Sequence, residues 1–219
     1  MRLIIFDFDG VVADSEALAN QTLAEGLSGI GLPTTTQEAL LFYMGRRWTD
    51  CAADMERRLG RALPDGFLSA QITAIHARIF AEVSPVPGVL DFLQQHADVA
   101  RCIASSSSIN YLRRCLDCMG MTSWFEHLFS GQDVQHGKPR PDLFLKAAAA
   151  LGATPAECVV IEDSPMGVMA GRAAQMFTIG LCAGRHVLDG HAGRLAEAGA
   201  DVVVSSYAEV DQVLTAHGF

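Results

Sequence analysis

The sequence predicts an α/β fold in which a doubly wound, mainly parallel sheet carries helices on both faces and an all-helical domain is inserted after the first strand. From residue 88 onward, short apolar runs alternate with segments of helical periodicity, and this βα order is typical of a parallel sheet. Between residues 15 and 84 the periodicity is helical throughout. We therefore expect residues 1–14 and 85–219 to form the sheet domain and residues 15–84 to form the helical insertion.

Composition excludes several classes of protein. Half of the 219 residues are apolar, which is ample for a core, and the net charge of −9 argues against nucleic acid, whose phosphates require a basic surface. No apolar run approaches the roughly 18 residues that a membrane helix needs. The N-terminus has no basic region followed by an apolar stretch and a cleavage site. We therefore expect a cytoplasmic protein that binds neither nucleic acid nor membrane.

The first element is a short apolar strand at residues 3–6, which has the pattern of a strand buried on both faces. It is followed by Asp7, Asp9 and Gly10. Side chains two residues apart share a face of a strand, so the two carboxylates can converge. Their repulsion then needs a shared proton or a cation to offset it, and an all-oxygen site suits Mg²⁺ better than Zn²⁺. Alternatively, the two acids simply end the strand and begin a loop.

The insertion is expected to consist of helices. Asp14 and Ser15 are both suitable N-caps for the first of them. The helices are predicted at residues 16–27, 37–43, 49–59 and 67–82. Two prolines and a glycine within residues 84–88 then mark the boundary of the insertion.

The remainder of the chain alternates between the two kinds of element. The predicted strands lie at residues 99–104, 128–130, 158–161, 177–181 and 201–204. The predicted helices lie at residues 89–95, 110–119, 142–151 and 165–174.

Three further strand ends carry polar residues. The four serines at 105–108 precede a helix, so they either bind an anion or merely cap the helix. Lys138, one of two lysines in the chain, stands in a loop between a glycine and two prolines and either binds an anion or is a solvated turn residue. Glu162 and Asp163 follow a buried strand, which rarely runs into paired acids without a functional reason.

Ligands of open α/β sheets bind beyond the carboxyl ends of the strands, where these residues would meet. There the acids would bind a divalent cation, and the cation together with Lys138 and Ser105 would bind a phosphate. With a reference pKa of about 3.9, Asp7 is ionised and can attack phosphorus as the nucleophile. Asp9 would then act as the general acid for the leaving group and as the base for water.

These motifs resemble those of the haloacid dehalogenase superfamily in sequence and in order. They are DFDGVVADS at residues 7–15, Ser105, GKPRP at residues 137–141 and EDSPMG at residues 162–167. The chain is most similar to the branch that contains β-phosphoglucomutases and small sugar-phosphate phosphatases. The resemblance implies a Rossmann-like core, with residues 15–84 as a helical cap domain.

The resemblance also implies residue roles. Mg²⁺ would be held by the Asp7 carboxylate, the Asp9 backbone carbonyl and the Asp163 carboxylate, with Glu162 close by. Ser105, Ser106 and Lys138 would contact the transferred phosphate. Specificity is expected from residues of the cap, whose candidates are Glu16, Asn20, Gly45, Arg46, Arg47 and Trp48. Arg46 and Arg47 could bind a carboxylate or a second phosphate, or could simply be a pair of surface arginines.

Departures from related activities narrow the expected function. True dehalogenases lack the second aspartate, and residues 15–84 contain no lysine of the kind that phosphonatases use. Ala19 and Met44 stand where β-phosphoglucomutases have a histidine and a lysine, which favours hydrolysis. Residues 128–135 are similar to phosphatases of the phosphogluconate type.

We therefore expect a Mg²⁺-dependent phosphatase whose partner is a small-molecule phosphate ester, a sugar or sugar-acid phosphate such as 6-phosphogluconate. The alternatives are a phosphohexomutase and a non-catalytic protein that binds phosphorylated metabolites. A monomer is expected, because movement of the cap requires freedom.

Overall fold

The computed structural model describes residues 3–44 and 48–218. The chain forms two compact units, which are described separately. One comprises Met1–Asp14 with Ser84–Phe219, and the other comprises Ser15–Val83.

The larger unit is built on a six-stranded sheet. Its strands are β1 (Leu3–Phe6), β2 (Ala100–Ser105), β3 (Leu128–Ser130), β4 (Cys158–Glu162), β5 (Phe177–Leu181) and β6 (Val202–Val204). Their order is β3-β2-β1-β4-β5-β6, and all five pairings are parallel. The first strand of the chain therefore lies at the centre, with Phe6 opposite Ile103 on one side and Ile161 on the other.

Six helices in the described part of this unit accompany the sheet. They are α5 (Val89–Gln95), α6 (Ile109–Cys118), α7 (Asp142–Ala150), α8 (Pro165–Ala173), α9 (His191–Glu197) and α10 (Tyr207–Ala216). Short 3-10 helices lie at Thr122–Trp124, Gly131–Asp133 and Pro155–Glu157.

Helices cover both faces of the sheet. Leu3 and Ile5 of β1 belong to one buried cluster with Phe144 of α7 and Ala170 of α8. The intervening strand position points the other way, and the ring of Phe6 packs edge-on against Phe92 of α5. The predicted α/β fold with a doubly wound, parallel sheet is thereby confirmed.

Two strands extend further than predicted. Strand β2 includes Ser105, which pairs with Ser130, and β4 includes Glu162, which pairs with Gly180. The prediction ended each strand at its last apolar residue, whereas a parallel ladder continues as long as the backbone groups pair. As a result, the polar side chains at these two positions are held by the sheet itself.

The smaller unit consists of α1 (Glu16–Gly29), α2 (Thr36–Tyr43), α3 (Trp48–Leu59) and α4 (Phe67–Glu82). Helix α1 packs against α2 and α4. Helix α2 begins with a capping box, in which Thr35 accepts from the Glu38 backbone and Glu38 accepts from the Thr35 backbone. Among the described residues, no helix combines the length and the apolar character needed to cross a membrane.

Candidate active site

The site begins where β1 ends. The backbone N–H of Asp7 donates to the carbonyl of Ile161 at 2.9 Å, so the parallel pairing with β4 extends to the first acid. The chain then turns at Gly10, whose φ of +81° is a conformation that favours glycine. A Cβ atom at Gly10 would collide with the carboxylate of Asp163 and with the ring of His186. Glycine at this position therefore allows the turn to lie directly against a carboxylate from β4's end.

Three of the predicted metal ligands lie together. Asp7, Glu162 and Asp163 are all buried, and one carboxylate oxygen from each lies within 4.8 Å of the others. Buried carboxylates are costly unless cations compensate them, and hard oxygen donors in this arrangement suit a divalent ion such as Mg²⁺. The residues present therefore fit the predicted cofactor.

Lys138 reaches into this cluster. Its Nζ atom donates to Asp7 Oδ1 at 2.5 Å and to Glu162 Oε1 at 2.6 Å, and the lysine side chain is only 6% exposed. The alternative interpretation of Lys138 as a solvated turn residue is therefore wrong. One ammonium group compensates one of three carboxylates, so two negative charges remain if all three acids are ionised.

The electrostatics of this cluster follow from its burial. Burial raises the pKa of Asp7 well above its ordinary value, and the charge of Lys138 opposes that shift. The reference pKa from which Asp7 was expected to be ionised therefore does not describe this buried carboxyl group. Burial also acts to lower the pKa of Lys138, but the charges of Asp7 and Glu162 outweigh it and raise that pKa overall. Lys138 therefore stays protonated at neutral pH and supplies a fixed positive charge beside Asp7.

Glu162 is held in place by the loop that follows it. Its Oε2 atom accepts from the backbone N–H of Ser164 at 2.9 Å and from the Ser164 hydroxyl at 3.0 Å. Gly167, in the first turn of α8, leaves no room for a Cβ atom beside this carboxylate. The motif at residues 162–167 thus fixes the acid and makes space for it.

Asp9 has a different environment from Asp7. Its Oδ2 accepts from the Ser107 hydroxyl at 2.8 Å, and its Oδ1 accepts from the Tyr111 hydroxyl at 2.9 Å. The Asp9 carboxylate is not part of the acid cluster found among the described residues. Strand β1 ends at Phe6 and the chain turns at Gly10, so strand periodicity does not extend to Asp7 and Asp9, and their expected convergence stays a prediction.

The predicted phosphate-binding serines differ in exposure. Ser105 is buried, and its Oγ atom accepts from the backbone N–H of Ser107 at 3.1 Å. Ser106 is exposed. The alternative that this cluster caps a helix is correct for Ser108, whose hydroxyl accepts from the backbone of Tyr111 at 3.3 Å.

Asp163 has two histidine partners that no sequence pattern indicates. Nε2 of His186 lies 2.9 Å from its Oδ2 atom, and Nε2 of His191 lies 2.7 Å from its backbone carbonyl. Burial lowers the pKa of His191, which favours the neutral ring. Both histidines lie in the segment after β5. Asp163 therefore contacts a part of the chain that is more than twenty residues away in the sequence.

Another contact joins the same segment to the end of the first motif. The buried Asp14 carboxylate accepts from the backbone N–H of Arg185 at 3.0 Å and from its Nε atom at 2.5 Å. Asp14, considered from the sequence only as a helix cap, is therefore an anchor for the segment that carries His186.

The candidates for specificity lie in the smaller unit. The Asn20 side chain donates to the Glu16 carboxylate at 3.0 Å, so these two candidates contact each other. Trp48 begins α3 and is half-buried. Gly45, Arg46 and Arg47 lie outside the described residues.

Three buried acids and a buried lysine lie beyond the carboxyl ends of a parallel α/β sheet. This arrangement is typical of enzyme sites that bind an anionic ligand with the help of a cation. The family model for haloacid dehalogenase-like hydrolases matches residues 4–181. The chain belongs to this family. The predicted family and the predicted enzyme class, a hydrolase with phosphatases among its relatives, are thereby confirmed.

Individual relatives agree with this assignment. The chain is 28% identical over 173 residues to the fructose-1-phosphate phosphatase of Escherichia coli (strain K12), which covers 79% of this chain and 92% of that protein. It is 27% identical over 222 residues to the β-phosphoglucomutase of Bacillus subtilis (strain 168), and the matched region covers 93% of this chain and 89% of that protein. A haloacid dehalogenase-like protein from Agrobacterium tumefaciens is similar in structure, with a TM-score of 0.92, 33% identity and full coverage of both chains.

Proposed function

We propose that this chain is a Mg²⁺-dependent phosphatase that hydrolyses the phosphate ester of a sugar or sugar acid through an aspartyl-phosphate intermediate. The observation that carries the proposal is the position of Lys138 Nζ between Asp7 and Glu162, with Asp163 in the same cluster. This arrangement puts a fixed cation next to the proposed nucleophile and leaves negative charge for a divalent ion to compensate. Relatives named as phosphatases of phosphorylated sugars support the substrate class.

In the first step an oxygen of Asp7 attacks phosphorus, and the bond from phosphorus to the ester oxygen breaks. Asp9 donates a proton to that oxygen, so the product leaves as an alcohol. Lys138 reduces the repulsion between the Asp7 carboxylate and the anionic phosphoryl group.

In the second step Asp9 takes a proton from water, the water oxygen attacks phosphorus, and the bond from phosphorus to Asp7 breaks. Inorganic phosphate is released, and Asp9 again carries its proton. Asp7, Asp163 and the Asp9 carbonyl would hold Mg²⁺, with Glu162 close by, and the ion would supply additional compensation of charge on the transferred group. Ser105 and Ser106 would contact that group, as the family resemblance implies.

The proposal is tested by incubating the protein and Mg²⁺ with fructose 1-phosphate, hexitol phosphates, 6-phosphogluconate and glucose 6-phosphate, and by measuring free phosphate. We expect release from at least one ester, and we expect its loss on chelation and in the Asp7→Asn variant, which lacks the anionic nucleophile. Lys138→Met should lose the release as well, because it removes the cation beside Asp7. Lys146→Met is its matched control for loss of a positive charge, because Lys146 is exposed and contacts the carbonyl of Asp133. Silence across the panel would favour the non-catalytic alternative.

A phosphohexomutase is the second candidate, and the similarity to a β-phosphoglucomutase is the observation in its favour. Ala19 and Met44 occupy the positions that the family resemblance assigns to a histidine and a lysine in mutases. The same assay separates the two activities, because a mutase yields an isomerised sugar phosphate without release of phosphate. The monomeric state and the cytoplasmic location stay predictions.

A further inference from the structure

Both oxygens of the Asp9 carboxylate accept hydrogen bonds from hydroxyl groups. Tyr111 donates to Oδ1 at 2.9 Å and Ser107 donates to Oδ2 at 2.8 Å. Two such bonds, one to each oxygen, fix the plane of the carboxyl group as well as its position. Asp9 itself is only half-buried and lies beyond the end of the strand, so the sheet does not provide this constraint.

Tyr111 is itself held rigidly. It is 8% exposed and lies in the first turn of α6, where its backbone N–H is bound by the Ser108 cap. Its ring packs edge-on against Phe8, with 6.3 Å between centroids and an interplanar angle of 83°. Phe8 is fully buried and stands between the two acids in the sequence. The Tyr111 hydroxyl therefore has a fixed position relative to the segment that carries Asp7 and Asp9.

A tyrosine hydroxyl suits an acid that gains and loses a proton in each turnover. It donates a hydrogen bond to a carboxylate and can accept one from a carboxylic acid. It can therefore hold Asp9 in both states, whereas an ammonium or guanidinium group could hold only the ionised state.

We propose that Tyr111 is a positioning residue that orients Asp9 for proton donation to the leaving group, with Ser107 as its partner on the second oxygen. This inference rests on the proposed function and extends it. Tyr111 acts through Asp9 and takes no part in bond making.

The test uses two substrates that differ in their need for a proton. The alkoxide of an alkyl phosphate is a poor leaving group and requires a proton from a general acid, whereas the p-nitrophenolate of p-nitrophenyl phosphate leaves as a stable anion without protonation. The value of kcat/KM reports the steps up to transfer of the phosphoryl group to Asp7, which is the step that Asp9 assists as an acid. The alkyl substrate is the panel ester that the unaltered protein hydrolyses fastest.

In the Tyr111→Phe variant we expect kcat/KM for the alkyl ester to fall roughly 10- to 100-fold, a part of the 10²–10⁴ that general acid catalysis supplies. For p-nitrophenyl phosphate we expect a change of less than about threefold. The ratio of the two values is independent of how much of the variant is folded, because the active concentration cancels.

Tyr207→Phe is the matched control. Tyr207 is another buried tyrosine, whose hydroxyl donates to the backbone carbonyl of Val11 at 2.9 Å, so its loss removes a hydrogen bond without touching Asp9. We expect its substrate ratio to equal that of the unaltered protein. In an Asp9→Asn background, Tyr111→Phe should change kcat/KM for the alkyl ester by less than about twofold, the limit of independent effects, because the carboxylic acid to be oriented is gone.

An unchanged ratio of the two kcat/KM values in Tyr111→Phe, whether both fall equally or neither falls, would overturn the inference and leave the phosphatase proposal intact. If the unaltered protein hydrolysed no ester at all, the phosphatase proposal would fail first and the inference with it.

Discussion

At the level of a single residue, both the backbone conformation of Gly10 and the side chains beside it disfavour any residue other than glycine. Its φ of +81° alone disfavours a side chain, and an added Cβ atom would also lie 2.7 Å from the carboxylate carbon of Asp163 and 2.7 Å from a ring carbon of His186. The glycine of the first motif therefore has a role in packing, because it lets the turn after β1 approach the acid that follows β4.

We expect Gly10→Ala to destabilise the protein by about 3 kcal/mol or more, because backbone strain and overpacking add. Gly120→Ala is the control, since Gly120 also has a positive φ, of +67°, but has no atom within 4 Å of an added Cβ. It should cost about 1–2 kcal/mol, the cost of the strain alone. Free energies of unfolding in urea measure both values, and equal losses would contradict the packing role.

The sequence allowed the buried acids and Lys138 to be selected because each immediately follows a strand or lies in a loop with glycine and proline. Their partners could not be selected in this way. The contacts of Asp9 with Ser107 and Tyr111 span 98 and 102 positions, and nothing local to a serine or tyrosine indicates such a contact. The same holds for His186 and His191. They lie near Asp163 because they follow β5, which pairs with β4 in the sheet.

At the level of elements, strands were predictable where they are buried on both faces, as β1 and β4 are. Helices α9 and α10 are not among the predicted elements. Helix α9 has only two buried residues, His191 and Leu195, so its sequence has little apolar periodicity. Helix α2, in contrast, has a start signal that a sequence shows directly, the Thr and Glu of a capping box.

We expect Thr35→Ala to destabilise the protein by about 1 kcal/mol at neutral pH, because the first turn of α2 loses its cap. Hydrogen bonds from the Thr35 backbone and hydroxyl lower the pKa of Glu38. A carboxyl group whose pKa is lowered by folding stabilises the protein at pH values above its ordinary pKa. This contribution is lost as the pH falls through the pKa of the folded state. The difference between the variant and the unaltered protein should therefore shrink below about pH 4.5.

Urea unfolding at neutral and at acidic pH measures this effect, with Thr36→Ala, one residue further along, as the control. A difference that stayed constant on acidification would show that Glu38 contributes nothing to the cap.

At the level of the whole molecule, the net charge of −9 opposes the approach of an anionic ester. The positive charge in the site belongs to Lys138, which is buried and already paired with two acids. Local attraction therefore acts only at short range, while the repulsion of the molecule as a whole acts at a distance and is screened by salt.

We expect kcat/KM for a hexose phosphate to rise about two- to threefold between low and physiological ionic strength at constant Mg²⁺, because salt screens this repulsion. The rise should be larger for 6-phosphogluconate, whose carboxylate adds a negative charge. Steady-state kinetics over a range of KCl concentrations measure both. A decrease with salt would show that a positive field at the site outweighs the net charge.

The strand order has a consequence for how the protein is made. β1 leaves the ribosome before its two neighbouring strands, which follow it by about a hundred and about a hundred and fifty residues. Until Glu162 and Asp163 have been synthesised, Asp7 has neither its acidic neighbours nor a completed sheet beside it. A nascent chain that stops before β4 thus carries the proposed nucleophile without the neighbours that the proposed reaction requires.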